Sequence, residues 1–202
     1  MNGAILVLSG PSGAGKSTII HHASKDIGEY YFSISTTTRE PREGEIDGVD
    51  YYFVSRIEFE KGIESGDFLE YATVHGNYYG TSLKPVQKAL ADNKLVIFDI
   101  DVQGHRLVRA EMGSFITSVF ITPPSLAILK ERLYARATDR DDIIKGRIEN
   151  AKEEIKAIGE FDFVIINDTI EKASSEFTTI ANASRLKYNT VELEKLIQDW
   201  QN

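Results

Sequence analysis

The run Gly10-Pro11-Ser12-Gly13-Ala14-Gly15-Lys16-Ser17-Thr18 fits the pattern G-x-x-x-x-G-K-[ST]. Small residues in such a run let successive backbone N–H groups turn inward and approach phosphate oxygens that side chains would keep at a distance. Lys16 can bridge the β and γ phosphates of a nucleoside triphosphate, and Ser17 can offer a hydroxyl to Mg²⁺. A helix opening near Lys16 would turn its positive end towards the same anion. The competing description is a glycine-rich turn with a solvated lysine. The apolar run Ala4 to Leu8 in front and a helical pattern behind supply the context that a phosphate cradle requires.

A second group of chemically useful residues follows another apolar run. Leu95 to Phe98 delivers Asp99 and then Asp101. A carboxylate there can hold Mg²⁺ directly or through its waters, can face an acceptor molecule, or can cap a helix beginning near Val102. At least one is expected to serve the metal or the acceptor, and both assignments stay open between the two. Any metal is expected on oxygen. The chain has no cysteine, which excludes disulfides, thiolate sites and thiol catalysis, and His21, His22, His75 and His105 lack metalloprotease spacing.

Positioning these groups calls for a parallel sheet. Ala4 to Leu8, Leu95 to Phe98, Phe163 to Ile166 and Ile116 to Ile121 read as parallel strands, the first three fully buried. Helices are expected at about 16–27, 56–65, 82–92, 102–112, 125–135, 142–158 and 170–199, the last broken near Asn189. In the sixth, Ile144, Ile148, Ala151, Ile155 and Ile158 form one apolar stripe, and Asp139 or Asp141 can cap its start. Residues 30–81 change texture to short alternating runs rich in Tyr, Thr and Gly, as expected of a small, mostly β insertion. Right-handed crossovers would place ligands at the carboxyl ends of the core strands.

The bulk properties agree with one such unit. A chain of 202 residues with 42% hydrophobic and 27% charged content can bury a real core. Its 23 Lys plus Arg against 31 Asp plus Glu give a formal charge of -8, which opposes a broad grip on a nucleic-acid polymer or an anionic membrane. Anionic ligands must then be held by local clusters. No run has the length of a signal peptide or a membrane span, so the cytoplasm is the expected compartment.

The inserted region narrows the chemistry. Ser33-Ile34-Ser35-Thr36-Thr37-Thr38-Arg39-Glu40-Pro41-Arg42-Glu43-Gly44-Glu45 is followed by Gly48-Val49-Asp50-Tyr51-Tyr52-Phe53-Val54, Phe68-Leu69-Glu70, Gly76-Asn77-Tyr78-Tyr79-Gly80-Thr81 and Asp99-Ile100-Asp101-Val102-Gln103-Gly104. These motifs, with the cradle, resemble the guanylate kinase family in content and order up to about residue 185. The resemblance implies a P-loop NTPase fold with a parallel core (about 1–29, 82–124 and 160–202), a small mostly β GMP-binding lobe (30–81) and a helical lid (125–159). It implies ATP held by Gly10 to Thr18, Mg²⁺ at Ser17 and Asp99, and catalytic roles for Lys16, Arg136 and Arg147. GMP would be bound by Ser35, Arg39, Arg42, Tyr51, Glu70, Tyr79, Thr81 and Asp101.

Those residue types suit that ligand. Pro41 pushes Glu40 towards an extended conformation, which lets Arg39 and Arg42 present two guanidinium forks around one phosphate, while Tyr51 and Tyr79 add hydroxyl hydrogen bonds. Guanine shows N1–H and N2–H side by side, which one carboxylate accepts together, and an O6 that hydroxyls satisfy. Glu70 with Ser35 and Thr81 supplies that complement, whereas adenine would turn a lone pair towards Glu70. Singly, the arginines could be solvated ion pairs and Glu70 a solvent-facing strand residue. In the lid segment, Arg136 and Arg147 match the family's phosphate-contacting positions, with Arg132 and Arg140 weaker candidates. Ala137 stands where the family usually has glycine.

The resulting expectation is Mg²⁺-dependent transfer of the ATP γ-phosphoryl group to GMP. A ribose bisphosphate phosphokinase would keep Lys16 but has no use for Ser35, Glu70 and Thr81. A guanylate kinase-like module of a membrane-associated scaffold would typically lose the intact phosphate loop and adjoin other interaction domains; with Gly10 to Thr18 complete, no such domains are expected. In the tail from Leu186 to Asn202, the spacing of Val191, Leu193, Leu196, Ile197 and Trp200 predicts a helix packed on the core, with a self-association surface as the alternative.

Overall fold

The computed structural model describes residues 3–42, 44–74, 76–135, 140–187 and 193–201. Its strands are β1 Ala4–Ser9, β2 Tyr30–Ser33, β3 Thr36–Thr37, β4 Tyr52–Phe53, β5 Phe68–Val74, β6 Asn77–Ser82, β7 Leu95–Asp99, β8 Ile116–Thr122 and β9 Phe163–Ile166. Its α-helices are α1 Lys16–Ala23, α2 Arg56–Glu64, α3 Leu83–Ala91, α4 Val102–Met112, α5 Leu126–Ala135, α6 Asp141–Glu154, α7 Ile170–Ser184 and α8 Leu193–Gln201.

β1 is apolar from Ala4 to Leu8 because both its faces are covered. Ala4, Leu6 and Leu8 pack with Ile19, Ile20 and Ala23 of α1 and Phe177 of α7, whereas Ile5 and Val7 pack with Val86 and Leu90 of α3 and Val108 of α4. The sheet order is β2-β7-β1-β8-β9, with every pairing parallel. A second sheet of order β4-β3-β6-β5 is mixed: β3 and β4 run parallel, and β6 is antiparallel to both β3 and β5.

Several expectations need correction. Tyr30–Ser33 belongs to the edge of the core sheet and not to the insertion, whose own sheet starts at Thr36. β9 is an edge strand in which only Ile165 is buried, while Phe163, Val164 and Ile166 are exposed, because it has a neighbour on one side alone. α1 ends at Ala23, short of residue 27. α6 gives way after Glu154 to a 3-10 segment, Ile155–Glu160. The tighter coil changes the phase, so the predicted stripe ends at Ala151, and Ala157 is buried in place of the exposed Ile155. Asp141 lies in the first turn of α6 behind an N-cap Arg140, and Asp139 is outside the described residues. The tail helix is two helices, and the expected break near Asn189 also lies outside the described residues. Leu196, Ile197 and Trp200 of α8 are exposed, not packed on the core.

α5 and α6 pack against each other through Leu129, Leu133, Ile144, Ile148 and Ala151, a small apolar cluster separate from the two faces of the sheet. Among the described residues, no helix is long and apolar enough to cross a membrane.

Candidate active site

The loop between β1 and α1 turns through three glycines of positive φ, Gly10, Gly13 and Gly15. Gly10 has φ 139° and Gly15 φ 91°, values that side chains disfavour. A Cβ on Gly10 would strike the Ile121 carbonyl, and one on Gly15 the Asn167 amide. Pro11 to Thr18 and Asp99 enclose a cavity of about 150 Å³. Lys16 Nζ donates to the Gly10 carbonyl at 2.7 Å and lies 3.5 Å from Asp99. Burial raises the Asp99 carboxyl above the ordinary carboxylate range, against the opposing pull of Lys16. The Ser17 hydroxyl and the Asp99 carboxylate are among the oxygen donors that line this cavity, and no cluster of three or more His, Cys, Asp or Glu able to hold a metal occurs among the described residues. That donor set fits Mg²⁺, which keeps waters and phosphate oxygens about it and does not need an all-protein cage.

A second cavity, of about 220 Å³, opens beside the first. Ser35, Tyr51, Glu70, Tyr79, Asp99 and Asp101 line it together. Asp99 is therefore common to both. Asp101 caps α4, its Oδ1 accepting from the Gly104 N–H at 2.7 Å, so the capping alternative is realised at Asp101 and not at Asp99. Glu70 owes its direction to a β-bulge: Phe68 pairs with Ser82 but Glu70 pairs with Thr81, leaving an extra residue on β5. Thr81 is buried and its hydroxyl donates to Glu70 Oε1 at 2.7 Å, so it stands behind the carboxylate and orients it. Burial, reinforced by the negative charge of Asp101, raises the Glu70 carboxyl, while the Thr81 bond opposes the shift. Burial raises the Tyr51 phenol as well, which keeps it protonated and able to donate at neutral pH. Arg39 Nε donates to the Tyr79 hydroxyl at 3.2 Å, and the Arg42 side chain is exposed at the rim.

The helix pair reaches the cradle from the other side. Arg147 on α6 donates to the Ser12 hydroxyl at 2.7 Å. Arg136 lies outside the described residues, and Arg140 makes an exposed pair with Asp142. The sequence motifs favour Arg136 and Arg147 over Arg132 and do not mark Asn167 or Asp168. Arg132 donates to the Asn167 carbonyl at 2.9 Å, and the Asn167 amide donates to the Ala14 carbonyl at 2.8 Å, bracing the loop from behind. Arg132, Asn167 and Asp168, with Gly13, Gly15 and Thr18, border a cavity of about 380 Å³. The available signal was position: Asn167 and Asp168 directly follow β9, at the carboxyl edge where ligands of such sheets collect.

The chain leaving α6 is fastened to α4 over consecutive residues. Glu160 takes a bidentate pair from Arg106 at 2.6 and 2.7 Å, Phe161 stacks on His105 with ring centres 3.9 Å apart, and Asp162 accepts from Arg109 at 2.6 Å. His105 is buried, and neither ring nitrogen has a hydrogen-bond partner among the described residues.

The family model for guanylate kinase matches residues 2–184. The chain is 57% identical over 200 residues to the guanylate kinase of Sulfurimonas denitrificans, covering 99% of this chain and 97% of that one. It is 50% identical to the guanylate kinase of Wolinella succinogenes, over 99% of this chain and 93% of the other. Among solved structures it is similar to the guanylate kinase of Anaplasma phagocytophilum, with a TM-score of 0.76, 33% identity, and coverage of 98% of this chain and 94% of that one.

Proposed function

This chain belongs to the guanylate kinase family and is a nucleoside monophosphate kinase that passes the γ-phosphoryl group of ATP to GMP, and we propose that the cavities around β7 divide that reaction into a donor side and an acceptor side. The observation that carries this division is Asp99, which lines both the phosphate cradle and the cavity beside it, so that donor and acceptor phosphates would meet at the end of one strand. On the donor side, the backbone from Gly10 to Thr18 would wrap the ATP phosphates, Lys16 would exchange its present partners for phosphate oxygens, and Arg132, Asn167 and Asp168 would bound the nucleoside. Mg²⁺, which the family uses in general, would be held by Ser17 and Asp99 and would supply charge neutralisation at the phosphates.

On the acceptor side, Arg39, Arg42, Tyr51 and Tyr79 would take the GMP phosphate, and Glu70, oriented by Thr81, would accept the paired guanine donors beside Ser35 and Asp101. The acceptor phosphate is itself the nucleophile, so no side chain need form a covalent intermediate. Arg147 and Arg136, carried by the α5–α6 segment, would stabilise the charge that spreads over the transferring group and would help to exclude water. We assign the acceptor lobe to about 34–81, the lid to 125–159 and the remainder to the core, and we place the reaction in the cytoplasm, where nucleotide pools are kept. The test is ADP release in a coupled assay with ATP and Mg²⁺ and a panel of GMP, dGMP, AMP, UMP and ribose 1,5-bisphosphate. Turnover should be confined to the guanine nucleotides; comparable rates with AMP or the bisphosphate would refute the acceptor-site assignment.

A further inference from the structure

The loop from Arg39 to Glu45 is folded around a single carboxylate. Both Glu45 oxygens accept from Arg39 Nη2, at 2.9 and 3.0 Å, and Oε2 also accepts from the Arg42 main-chain N–H at 2.7 Å. The Glu45 N–H returns a bond to the Arg42 carbonyl at 3.1 Å, closing the turn. The remainder of the Arg39 fork is also engaged, with Nε on the Tyr79 hydroxyl at 3.2 Å and Nη1 on the Glu40 carbonyl at 2.7 Å. A guanidinium carries five N–H donors, so one on Nη1 is left for a ligand.

Exposed pairs of long side chains contribute little, because water screens them and holding them still costs rotamer freedom. This pair differs. The side chains of Arg39 and Glu45 are only 14% and 18% exposed, and the Arg39 guanidinium lies 5.2 and 5.8 Å from the ring centres of Tyr51 and Phe53. A cation so placed needs a counter-charge that is present whether or not ligand is bound. Glu45 supplies it, and through the Arg42 N–H it ties the second arginine's main chain to the same point.

From this geometry we propose that Glu45 is a positioning residue for the acceptor phosphate, arranging the Arg39 guanidinium and the Arg42 main chain before GMP arrives. Binding then avoids the ordering cost that two free arginines would impose. The hydrogen bond from Arg39 and that from the Arg42 N–H hold the Glu45 carboxyl below its usual range, so it stays ionised wherever the enzyme works. The inference rests on the reading that Arg39 and Arg42 receive the GMP phosphate.

The experiment compares Glu45→Gln, Glu45→Asp and Arg39→Ala with the parental protein, measuring steady-state constants and calorimetric binding of GMP and of guanosine. Glu45→Gln keeps the size but loses the charge and turns an amide N–H₂ towards donors. It should raise KM for GMP by about tenfold or more, leave KM for ATP unchanged and alter kcat less than about threefold, with guanosine binding at the parental level. Glu45→Asp, which keeps the charge on a shorter arm, should recover part of the GMP affinity. Unchanged or tighter GMP binding in Glu45→Gln overturns the proposal, the latter because it would make Glu45 a competitor for Arg39. Equal losses for GMP and guanosine overturn it too, since they would mean a general loosening of the lobe. Arg39→Ala separates the two levels: if it leaves GMP binding intact, the acceptor-site reading fails; if it weakens GMP while Glu45→Gln does not, only the role of Glu45 fails.

Discussion

Lys16 is already paired, with the Gly10 carbonyl and with Asp99, so its charge is fixed over the cradle before a nucleotide is present. Removing it should abolish turnover while leaving the fold and GMP binding largely intact, because its contacts belong to the donor side. A folded Lys16→Ala variant, checked by circular dichroism and GMP calorimetry, should show no measurable ADP release. Glu70→Gln should lower kcat/KM for GMP by about 10²-fold or more, with a smaller loss for inosine monophosphate, which lacks the exocyclic amine. Assays of both nucleotides at saturating ATP decide this, and equal proportional losses would contradict it. Because burial raises the Glu70 carboxyl, the acid-side fall of kcat/KM for GMP should begin above the ordinary carboxylate value of 4.5. Only the ionised form accepts both guanine donors, so the loss appears as pH falls through the raised value, and Glu70→Gln should remove that part of the profile. The contiguous motifs made the cradle and the arginine pair legible from residue order alone. The direction of Glu70 was not legible, because the bulge that sets it lies in how β5 meets β6. Asn167 escaped notice for a related reason: its bond to Ala14 joins residues far apart in the chain.

Elements were legible where both faces of a segment meet the same environment and harder where they do not. β1 and β7 are buried on both faces and read as such; β9 has an equally apolar sequence, yet its place at the edge leaves most of it exposed, and sheet position is not encoded in a four-residue run. The stripe on α6 located the helix but not its end, since the change to 3-10 geometry comes without a proline or a capping side chain. α4 shows what an element carries beyond its own pattern. Its His105 imidazole is pushed below its ordinary value by burial and by the Arg109 guanidinium, with Glu160 and Asp162 opposing and Arg106 adding to the fall. The native protein therefore holds His105 neutral, while the unfolded chain takes up a proton below the ordinary value of 6.5. The stability that this neutral, stacked ring supplies is complete above that pH and is lost as the pH falls through it towards the depressed native value. His105→Leu should flatten the stability curve below about pH 6.5, which urea unfolding midpoints at a series of pH values would report.

At the scale of the molecule, the alternation of strands and helices made the parallel sheet legible, but the boundary of the insertion was displaced because β2 shares its tyrosine-rich texture with the inserted sheet. The helix pair α5–α6 touches the cradle through Arg147 and flanks it through Arg132, so nucleotides on both sides of Asp99 should draw it down together. Hydrogen exchange measured by mass spectrometry should show α6 slowed more by GMP with a non-hydrolysable ATP analogue than by the sum of either alone, and simple additivity would contradict coupled closure. The fastening of residues 160–162 to α4 has a further consequence, in terms of sequence drift. Glu160, Phe161 and Asp162 meet partners on one rigid helix, and the next residue opens a strand paired in fixed register with β8, where Ile165 alone enters the core. One residue added between Asp162 and Phe163 would shift that register by one and exchange the strand's faces, expelling Ile165. Homologous chains should therefore vary hardly at all in length across 160–166, and in residue type mainly at the exposed positions 163, 164 and 166.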